Sequence, residues 1–240
     1  MTKPFLDRQT LTRQEVFLRY KLSSESDAAR RYALARLIDR GDIVHAGRDQ
    51  YYLKDSIPGK YAYTHQYSDH AIEITKLLCN RYPLLDWRIF ETASLNEFVN
   101  HQIAQNTVFV EAEPMLVESV YETLRGRFAE KVIVKPKPRD LDYYWTDNAI
   151  IVMRLVSEAP KDDSVPYGTT IEKLLVDLFT NKILGEMISP GEYAAIIEGA
   201  FDRYIVDGAK MFRYARRRNA ETRMKDYLRQ NTQVRLTADR

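Results

Sequence analysis

Residues 24–53 read SESDAARRYALARLIDRGDIVHAGRDQYYL, and this stretch decides how the N-terminal part of the chain folds. Ser24 begins it with a side chain of the type that caps helices, because its oxygen accepts a hydrogen bond from a free backbone N–H. Gly41 stands where a helix needs a left-handed residue to end. Between them, apolar residues at helical spacing predict one buried stripe: Ala33, Leu34, Leu37 and Ile38.

Two short strands follow the glycine. Ile43–Ala46 and Gln50–Leu53 form short apolar and aromatic runs, and Gly47-Arg48-Asp49 between them is typical of a hairpin turn. Thr12–Leu22 lies before the stretch and predicts a first short helix. Helix, helix and hairpin in this order indicate a winged helix-turn-helix, which we assign to residues 1–60.

This assignment predicts which side chains contact DNA. The second helix of a helix-turn-helix places its N-terminal residues against base edges in the major groove. Those residues are Ser24, Ser26, Asp27, Arg30 and Arg31. Arg48 in the hairpin is expected to contact a phosphate or the minor groove. The alternative is a helical hairpin whose arginines are simply solvated.

The charge of the chain is strongly segregated along its length. The net charge is only +2, but residues 1–60 carry twelve Lys or Arg against eight acids, a net +4. Residues 209–240 carry ten bases against three acids, a net +7, which leaves −9 for residues 61–208. Basic ends around an acidic middle are typical of a chain that contacts a polyanion with its ends. A solvated charged surface is the alternative.

The basic run RYARRR at residues 213–218 is the clearest feature of the C-terminal part. Helical spacing places Arg213, Arg216 and Arg217 on an outward face, where each could neutralise a phosphate and add to a salt-dependent affinity. We interpret this helix as an auxiliary DNA contact. A solvated face and a docking site for an acidic partner are the alternatives.

Residues 61–240 alternate predicted strands and helices, which favours a second domain of the α+β or α/β class with a mixed central sheet and several helices. The predicted strands are Trp87–Glu91, Thr107–Glu111, Lys131–Lys135 and Ala149–Val156. The predicted helices are Ser68–Tyr82, Met115–Phe128, Thr170–Leu184, Gly191–Tyr204 and Ala209–Arg229, with a helical turn at Asn96–His101 and a polar loop through Lys161-Asp162-Asp163.

This second domain, residues 61–240, is called the body below, and it shows no clear catalytic motif. Its glycines form no phosphate-binding loop, and the four histidines lack metal-ligand spacing. Asp86, Glu111 and Glu113 could form an acidic metal site, but no basic residue stands beside the pair in the run Glu111-Ala112-Glu113. We therefore predict no enzyme, no catalytic residues, no metal and no cofactor. A metal-dependent enzyme that modifies nucleic acid is the alternative.

The sequence also indicates the cellular location of the protein. No apolar run reaches the roughly 18 residues of a membrane span, and the polar start MTKPFLDRQT lacks the apolar core of a secretory signal. Cys79 is the single cysteine, so no disulfide can form within the chain. We expect a cytoplasmic protein without membrane contact.

Three segments carry a resemblance to a known family: LIDRGDIVHAGRDQYYL at residues 37–53, TTIEKLLVDLF at residues 169–179 and YARRR at residues 214–218. Together they resemble the AbiEi-type antitoxins of type IV toxin–antitoxin systems, which act in abortive infection. One departure is Arg48-Asp49-Gln50, where the family leads us to expect a second glycine and a less acidic hairpin tip.

The resemblance implies an N-terminal winged helix followed by an α/β antitoxin domain. It further implies repression of the chain's own promoter through inverted repeats, where cooperative binding of copies is expected. The cognate partner is then a nucleotidyltransferase-like toxin encoded next to it, opposed functionally or by direct binding. A plain transcriptional regulator without antitoxin activity, and an interaction scaffold that binds no DNA, are the alternatives.

Overall fold

The three-dimensional structure is a computed structural model in which both ends of the chain and several short internal segments are left undescribed. The described residues are 11–23, 25–39, 42–47, 50–53, 60, 62–99, 103–141, 146–162 and 167–234, with the backbone alone at 39, 44–47, 50 and 52. Within them the chain is α+β, with a three-stranded sheet near the N-terminus and a mixed six-stranded sheet in the body. None of the described helices is long and apolar enough to cross a membrane.

The N-terminal unit consists of two helices and a small antiparallel sheet. Its elements are β1 (Leu11–Thr12), α1 (Arg13–Arg19), α2 (Asp27–Asp39), β2 (Ile43–Gly47) and β3 (Gln50–Leu53). The strand order is β1-β3-β2, so β2 is an edge strand. The two predicted hairpin strands are confirmed, whereas β1 was not predicted because it is only two residues long.

The core of this unit is small. Among the side chains of this unit that the structure describes, the fully or almost fully buried apolar ones are Val16, Leu34, Leu37, Ile43 and Tyr51. Two of the four residues of the predicted stripe are therefore buried, and Ala33 and Ile38 are half-buried at its margin. The stripe faces α1 and the sheet, which leaves the opposite side of α2 in solvent.

Each helix of the unit begins at a hydroxyl cap. The Thr12 hydroxyl accepts the Glu15 N–H at 3.3 Å, and the Glu15 carboxylate accepts the Thr12 N–H at 2.7 Å. For α2, the Ser26 hydroxyl accepts the Ala29 N–H at 3.3 Å. The cap of α2 in the described structure is thus Ser26, whereas the predicted cap, Ser24, lies outside the described residues.

The two helix ends differ from the predictions in detail. Helix α1 stops at Arg19, earlier than predicted, because Lys21 adopts a left-handed conformation with φ of 55° and the Leu22 N–H donates back to the Phe17 carbonyl. At the end of α2, the Asp42 N–H donates to the Leu37 carbonyl five residues earlier. Gly41, the predicted stop, lies outside the described residues.

The body is built on a six-stranded mixed sheet. Its strands are β4 (Trp87–Glu91), β5 (Thr107–Ala112), β6 (Val132–Val134), β7 (Ala149–Arg154), β8 (Lys161–Asp162) and β9 (Gly168–Thr169). The order is β6-β7-β5-β4-β9-β8, with β7 parallel to β5 and β6, and β4 antiparallel to β5. The predicted mixed sheet is confirmed. The prediction of a loop at Lys161-Asp162 is wrong, since this pair forms β8 against β9.

Helices cover both faces of this sheet, each over its own apolar core. Helices α3 (Asp69–Arg81) and α4 (Val117–Phe128) cover one face. The other face is covered by α5 (Ile171–Thr180), α6 (Lys182–Met187), α7 (Tyr193–Arg203), α8 (Gly208–Arg217) and α9 (Glu221–Asn231). Helix α5 is buried over most of its circumference, so it is the central element of this second layer.

Two predicted long helices are each broken at an asparagine. Thr170–Leu184 divides at Asn181, whose side-chain oxygen accepts the N–H groups of Ile183 and Leu184 and so caps α6. Ala209–Arg229 divides at Asn219, which has φ of 53°. Asparagine tolerates this left-handed conformation better than other non-glycine residues, so it ends α8.

A further difference concerns the predicted helical turn at Asn96–His101. Residues 96–99 of this segment form no helix, and a 3₁₀ turn lies just before them at Thr92–Leu95, whereas residues 100 and 101 lie outside the described part of the chain. The Asn96 side chain accepts the Ile103 N–H at 2.7 Å. The asparagine therefore holds a loop together, because its short polar side chain competes with helix formation.

The N-terminal unit and the body meet at helix α8. The Cα atoms of α8 approach those of strand β2 to within 8 Å. Strand β2 is one of the two edge strands of the small sheet, and α8 lies beside it. The basic C-terminal helix and the predicted hairpin are thereby neighbours in space.

Candidate nucleic-acid interface and buried charge network

The residues of the N-terminal unit that were predicted to contact DNA differ in their exposure and in their hydrogen-bond partners. Asp27 is exposed at the first position of α2, and Ser26 is engaged as its cap. Arg31 is exposed, with its Nε atom 3.3 Å from the Asp27 carbonyl oxygen. Ser24 and Arg48 lie outside the described residues.

Arg30 is engaged with the turn between the helices. Its Nε atom donates to the Glu25 carbonyl at 2.8 Å and its Nη2 atom to the Ser23 carbonyl at 3.1 Å. The guanidinium also lies 5.9 Å from the centre of the Phe17 ring and 3.6 Å from the Asp27 carboxylate. These contacts hold the turn in place, and the predicted DNA contact of Arg30 stays a prediction.

The solvent-facing side of α2 presents a different set of residues. It consists of Ala28, Arg31, Tyr32, Ala35 and Arg36, all exposed and spaced three or four residues apart. Tyr32 has 68% of its surface exposed, which is unusual for a tyrosine. Sequence reasoning missed Tyr32 and Arg36, although their position opposite the Leu34 and Leu37 stripe was a usable signal.

On α8 the three predicted arginines share an exposed face but differ in their partners. Arg216 makes a bidentate pair with Glu221 at 2.7 and 3.1 Å, and Arg217 donates to the Ser157 hydroxyl. Among the described residues, no acidic side chain forms an ion pair with Arg213. The hydrogen bonds from Arg216 and then Lys225 lower the pKa of Glu221 to about 2. Much of the positive charge on this face is therefore balanced locally.

Beneath α8 lies a network of buried charges centred on Lys173. Its ammonium is 2.5 Å from the Glu111 carboxylate on β5 and 2.5 Å from the Asp177 carboxylate one turn along α5. The side chains of Lys173 and Asp177 are 0% exposed, and that of Glu111 is 4% exposed. Burial by itself lowers the pKa of Lys173, but the two carboxylates outweigh burial and raise it above its ordinary value.

Helix α8 joins this network from the other side. The Tyr214 hydroxyl donates to the second Asp177 oxygen at 3.1 Å, and an Arg218 nitrogen lies 3.8 Å from the same oxygen. Arg218 also donates from Nε to the Thr180 hydroxyl at 2.9 Å. Two positive and two negative side chains thus connect the sheet, α5 and α8. Sequence reasoning missed this network. The signal was a lysine and an aspartate four residues apart in the apolar run IEKLLVDLF.

The acidic residues considered for a metal site do not converge. Asp86 is paired with Arg88 at 2.6 Å, and Glu113 accepts the Asp86 N–H at 3.1 Å. Glu111 is buried against Lys173, a base that comes from a helix distant in sequence and not from the run Glu111-Ala112-Glu113. Among the described residues, no group of three His, Cys, Asp or Glu side chains could hold a metal ion.

Comparison with known proteins places the chain in a family. No curated protein and no solved structure matches it. The model of a family of unknown function, DUF6577, matches residues 30–234, from within α2 to the last described residue. This match includes most of α2, the hairpin and the body in one continuous segment. The chain therefore belongs to the DUF6577 family of unknown function.

Proposed function

We propose that this chain is a DNA-binding regulator that represses its own promoter. The observation that carries the proposal is the exposed face of α2, which presents Arg31 and Arg36 together with two alanines. Along the chain, α2 lies between the turn that follows α1 and an antiparallel hairpin. Arginine recognises guanine edges, and alanine permits close approach and contact with a thymine methyl group. The element order supports reading of the major groove by α2.

The position of α8 supports a second contact with the same DNA. Helix α8, which carries the exposed arginines, is the part of the body that lies beside strand β2 of the hairpin. Arg213 is the strongest candidate for a phosphate contact. Arg216 and Arg217 would have to exchange their present partners for phosphate oxygens, which lowers their net contribution.

We also propose that the body acts as an antitoxin against a nucleotidyltransferase-like toxin encoded next to this chain. The support is the resemblance of the TTIEKLLVDLF and YARRR segments to the AbiEi-type family. These segments form α5 and part of α8, which are joined by the buried charge network. The proposed division of labour is DNA binding by the N-terminal unit with α8, and antitoxin activity by the body.

The DNA proposal is tested with the chain's own promoter fragment. Replacing Arg31 and Arg36 together by alanine should weaken binding about thirtyfold or more, since each bidentate base contact contributes about 1–3 kcal/mol. The measurement is fluorescence anisotropy at fixed salt. The matched control is Arg81→Ala with Arg125→Ala, two exposed arginines of the α3–α4 layer, which should bind like the unaltered chain. Equal affinity of both double variants would refute this docking of α2.

The antitoxin proposal is tested by growth rescue. Expression of the neighbouring gene should stop growth, and co-expression of this chain should restore it. The Arg31→Ala, Arg36→Ala variant should still restore growth, because the proposed antitoxin activity resides in the body. A neighbour that does not inhibit growth, or inhibition that this chain leaves unchanged, would refute the antitoxin assignment and leave the DNA proposal standing.

A further inference from the structure

The exposed face of α2 carries one aromatic side chain that takes no part in the core. Tyr32 has 68% of its surface exposed, whereas Tyr51 is 1% exposed and Phe17 and Tyr20 pack against the small core of the N-terminal unit. Within the described part of the chain, no hydrogen bond, ion pair or ring contact involves the Tyr32 side chain. The ring is therefore available for a contact outside the chain, where an aromatic side chain contributes a large apolar area.

Helical geometry places Tyr32 at the centre of the exposed face. With 3.6 residues per turn, the buried Leu34 lies about 160° round the helix from Tyr32. The exposed Ala28 and Ala35 lie within about 60° of Tyr32 on one side, and the exposed Arg36 lies about 40° away on the other. The small alanine side chains leave the Tyr32 ring uncovered on their side, so a flat surface can approach it.

The charges beside Tyr32 favour nucleic acid as the partner of this face. Arg31 precedes Tyr32 and Arg36 follows one turn later, and both are exposed. Asp27 is the one acid among the described side chains of α2; it is paired at 3.6 Å with an arginine of the same turn and lies about 140° round the helix from Tyr32. The side chain of Asp39, at the far end of the helix, lies outside the described residues. Two arginines beside an uncovered ring attract a polyanion.

Building on the DNA binding proposed above, we propose that Tyr32 selects the operator sequence by packing its ring against the 5-methyl group of a thymine. The base edges in the major groove present hydrogen-bond donors and acceptors, and the thymine methyl is the apolar group among them. Arg31 and Arg36 pair with polar base edges or phosphates on either side. The ring is the large side chain of this face that gains from an apolar contact, so it discriminates thymine from the other bases.

The first experiment removes single methyl groups from the promoter fragment by replacing one thymine at a time with deoxyuridine. Affinity is measured by fluorescence anisotropy at fixed salt. For the unaltered chain, at least one replacement should weaken binding about fourfold, since one methyl is then lost from the contact. Tyr32→Ala should bind the unmodified promoter about fourfold or more weakly and lose nothing further from that same replacement. Effects of Tyr32→Ala and of every deoxyuridine that simply multiply would overturn the proposal.

Two further variants separate the ring from its hydroxyl and from the fold. Tyr32→Phe keeps the ring and should recover most of the affinity that Tyr32→Ala loses, together with the response to deoxyuridine. A loss in Tyr32→Phe as large as in Tyr32→Ala would overturn the methyl contact in favour of a hydroxyl contact. The matched control is Leu18→Ala on α1, where the side chain is 67% exposed, and this variant should bind like the unaltered chain.

The outcomes also separate this inference from the function on which it rests. If the unaltered chain does not bind the promoter, or if Arg31→Ala with Arg36→Ala binds as tightly as the unaltered chain, the docking of α2 fails and the role of Tyr32 fails with it. If that double variant binds weakly while Tyr32→Ala binds every promoter fragment like the unaltered chain, the role of Tyr32 alone is overturned.

Discussion

The N-terminal unit and the body handle charge in opposite ways. Among the described side chains of the N-terminal unit, five apolar ones are buried over a small sheet, while Arg31 and Arg36 are exposed and Arg30 bonds to backbone carbonyls. The body has a core on each face of its sheet and encloses Lys173, Glu111 and Asp177 almost completely. Charges at a surface are available to a polyanion, whereas enclosed charges fix one arrangement of the elements that supply them. The first unit is thus suited to recognition, and the second to holding its helices in register.

The largest effect is expected from Lys173→Met. The change leaves two buried carboxylates without their base, which should lower the free energy of unfolding by about 3–5 kcal/mol in a urea titration. Lys76→Met, the same change at an exposed position on α3, should alter it by less than about 0.5 kcal/mol.

A triple substitution tests whether the lost stability comes from the unpaired buried charges. Replacing Glu111 and Asp177 by apolar residues together with Lys173→Met should recover most of the lost stability, because no buried carboxylate is then left without its base. Arg218, whose side chain is 17% exposed, keeps its hydrogen bond to the Thr180 hydroxyl. A loss below about 1 kcal/mol in Lys173→Met alone would show that the network is dispensable, and would remove the contrast between the two regions.

The small core of the N-terminal unit predicts the next effect. Leu34→Ala should cost about 3 kcal/mol, because a buried leucine is lost where few neighbours can close the cavity. Amide hydrogen exchange should show faster exchange in residues 11–53 and unchanged protection in the body strands. Leu18→Ala, at an exposed position on α1, is the control and should change neither region. An equal increase of amide exchange in the body strands would mean that the two units unfold together.

A smaller effect is expected at the start of α2. Ser26→Ala removes the hydroxyl that accepts the Ala29 N–H and should cost about 1 kcal/mol of stability. DNA affinity should fall with it, because the exposed face of α2 begins at the next turn. Ser26→Asp retains a cap and should restore stability, though not DNA affinity, since a carboxylate is repelled by phosphate. Normal stability in Ser26→Ala would contradict the role of this serine as cap.

The smallest effect concerns the exposed pair on α8 and α9. The pKa of Glu221 is lowered to about 2 from its ordinary 4.5, so the stabilisation by its pairs is present above pH 4.5 and is lost as pH falls towards 2. Because its partner Arg216 is 72% exposed, this contribution should stay below about 1 kcal/mol and weaken in 1 M salt. Glu221→Gln should flatten that part of the stability–pH curve, and a curve of the same shape in the variant would contradict the assignment.

The sequence predicted the fold well where the apolar periodicity was strong, and poorly where a single residue determines whether a helix continues or ends. The apolar runs of β4, β5 and β7 and the amphipathic α3 and α4 were predicted close to their observed bounds, because burial imposes a period that can be read directly. The breaks at Asn181 and Asn219 were not, since an asparagine either stays within a helix or ends it according to its surroundings. The two-residue strands β1, β8 and β9 are too short to carry a period.

The candidate interface was only partly predictable for the same reason. The helix that presents the arginines followed from the sequence, but the engagement of Arg30 with the turn depends on carbonyls that only the folded chain brings near. The buried network required long-range pairing of Glu111 with Lys173, which no local pattern contains. The boundary at residue 60 stays a prediction. The family match runs across it from residue 30, so the hairpin and the body recur together.

The position of α8 beside β2 bears on whether copies of this chain can pair through the edges of their small sheets. A free edge strand invites another chain to add its own strand and extend the sheet, which is a common route to pairing between copies and to aggregation. Here helix α8 of the same chain lies beside β2, and Tyr214 and Arg218 fasten the helix to the body. A strand added at β2 by another copy would therefore have to share this edge with α8.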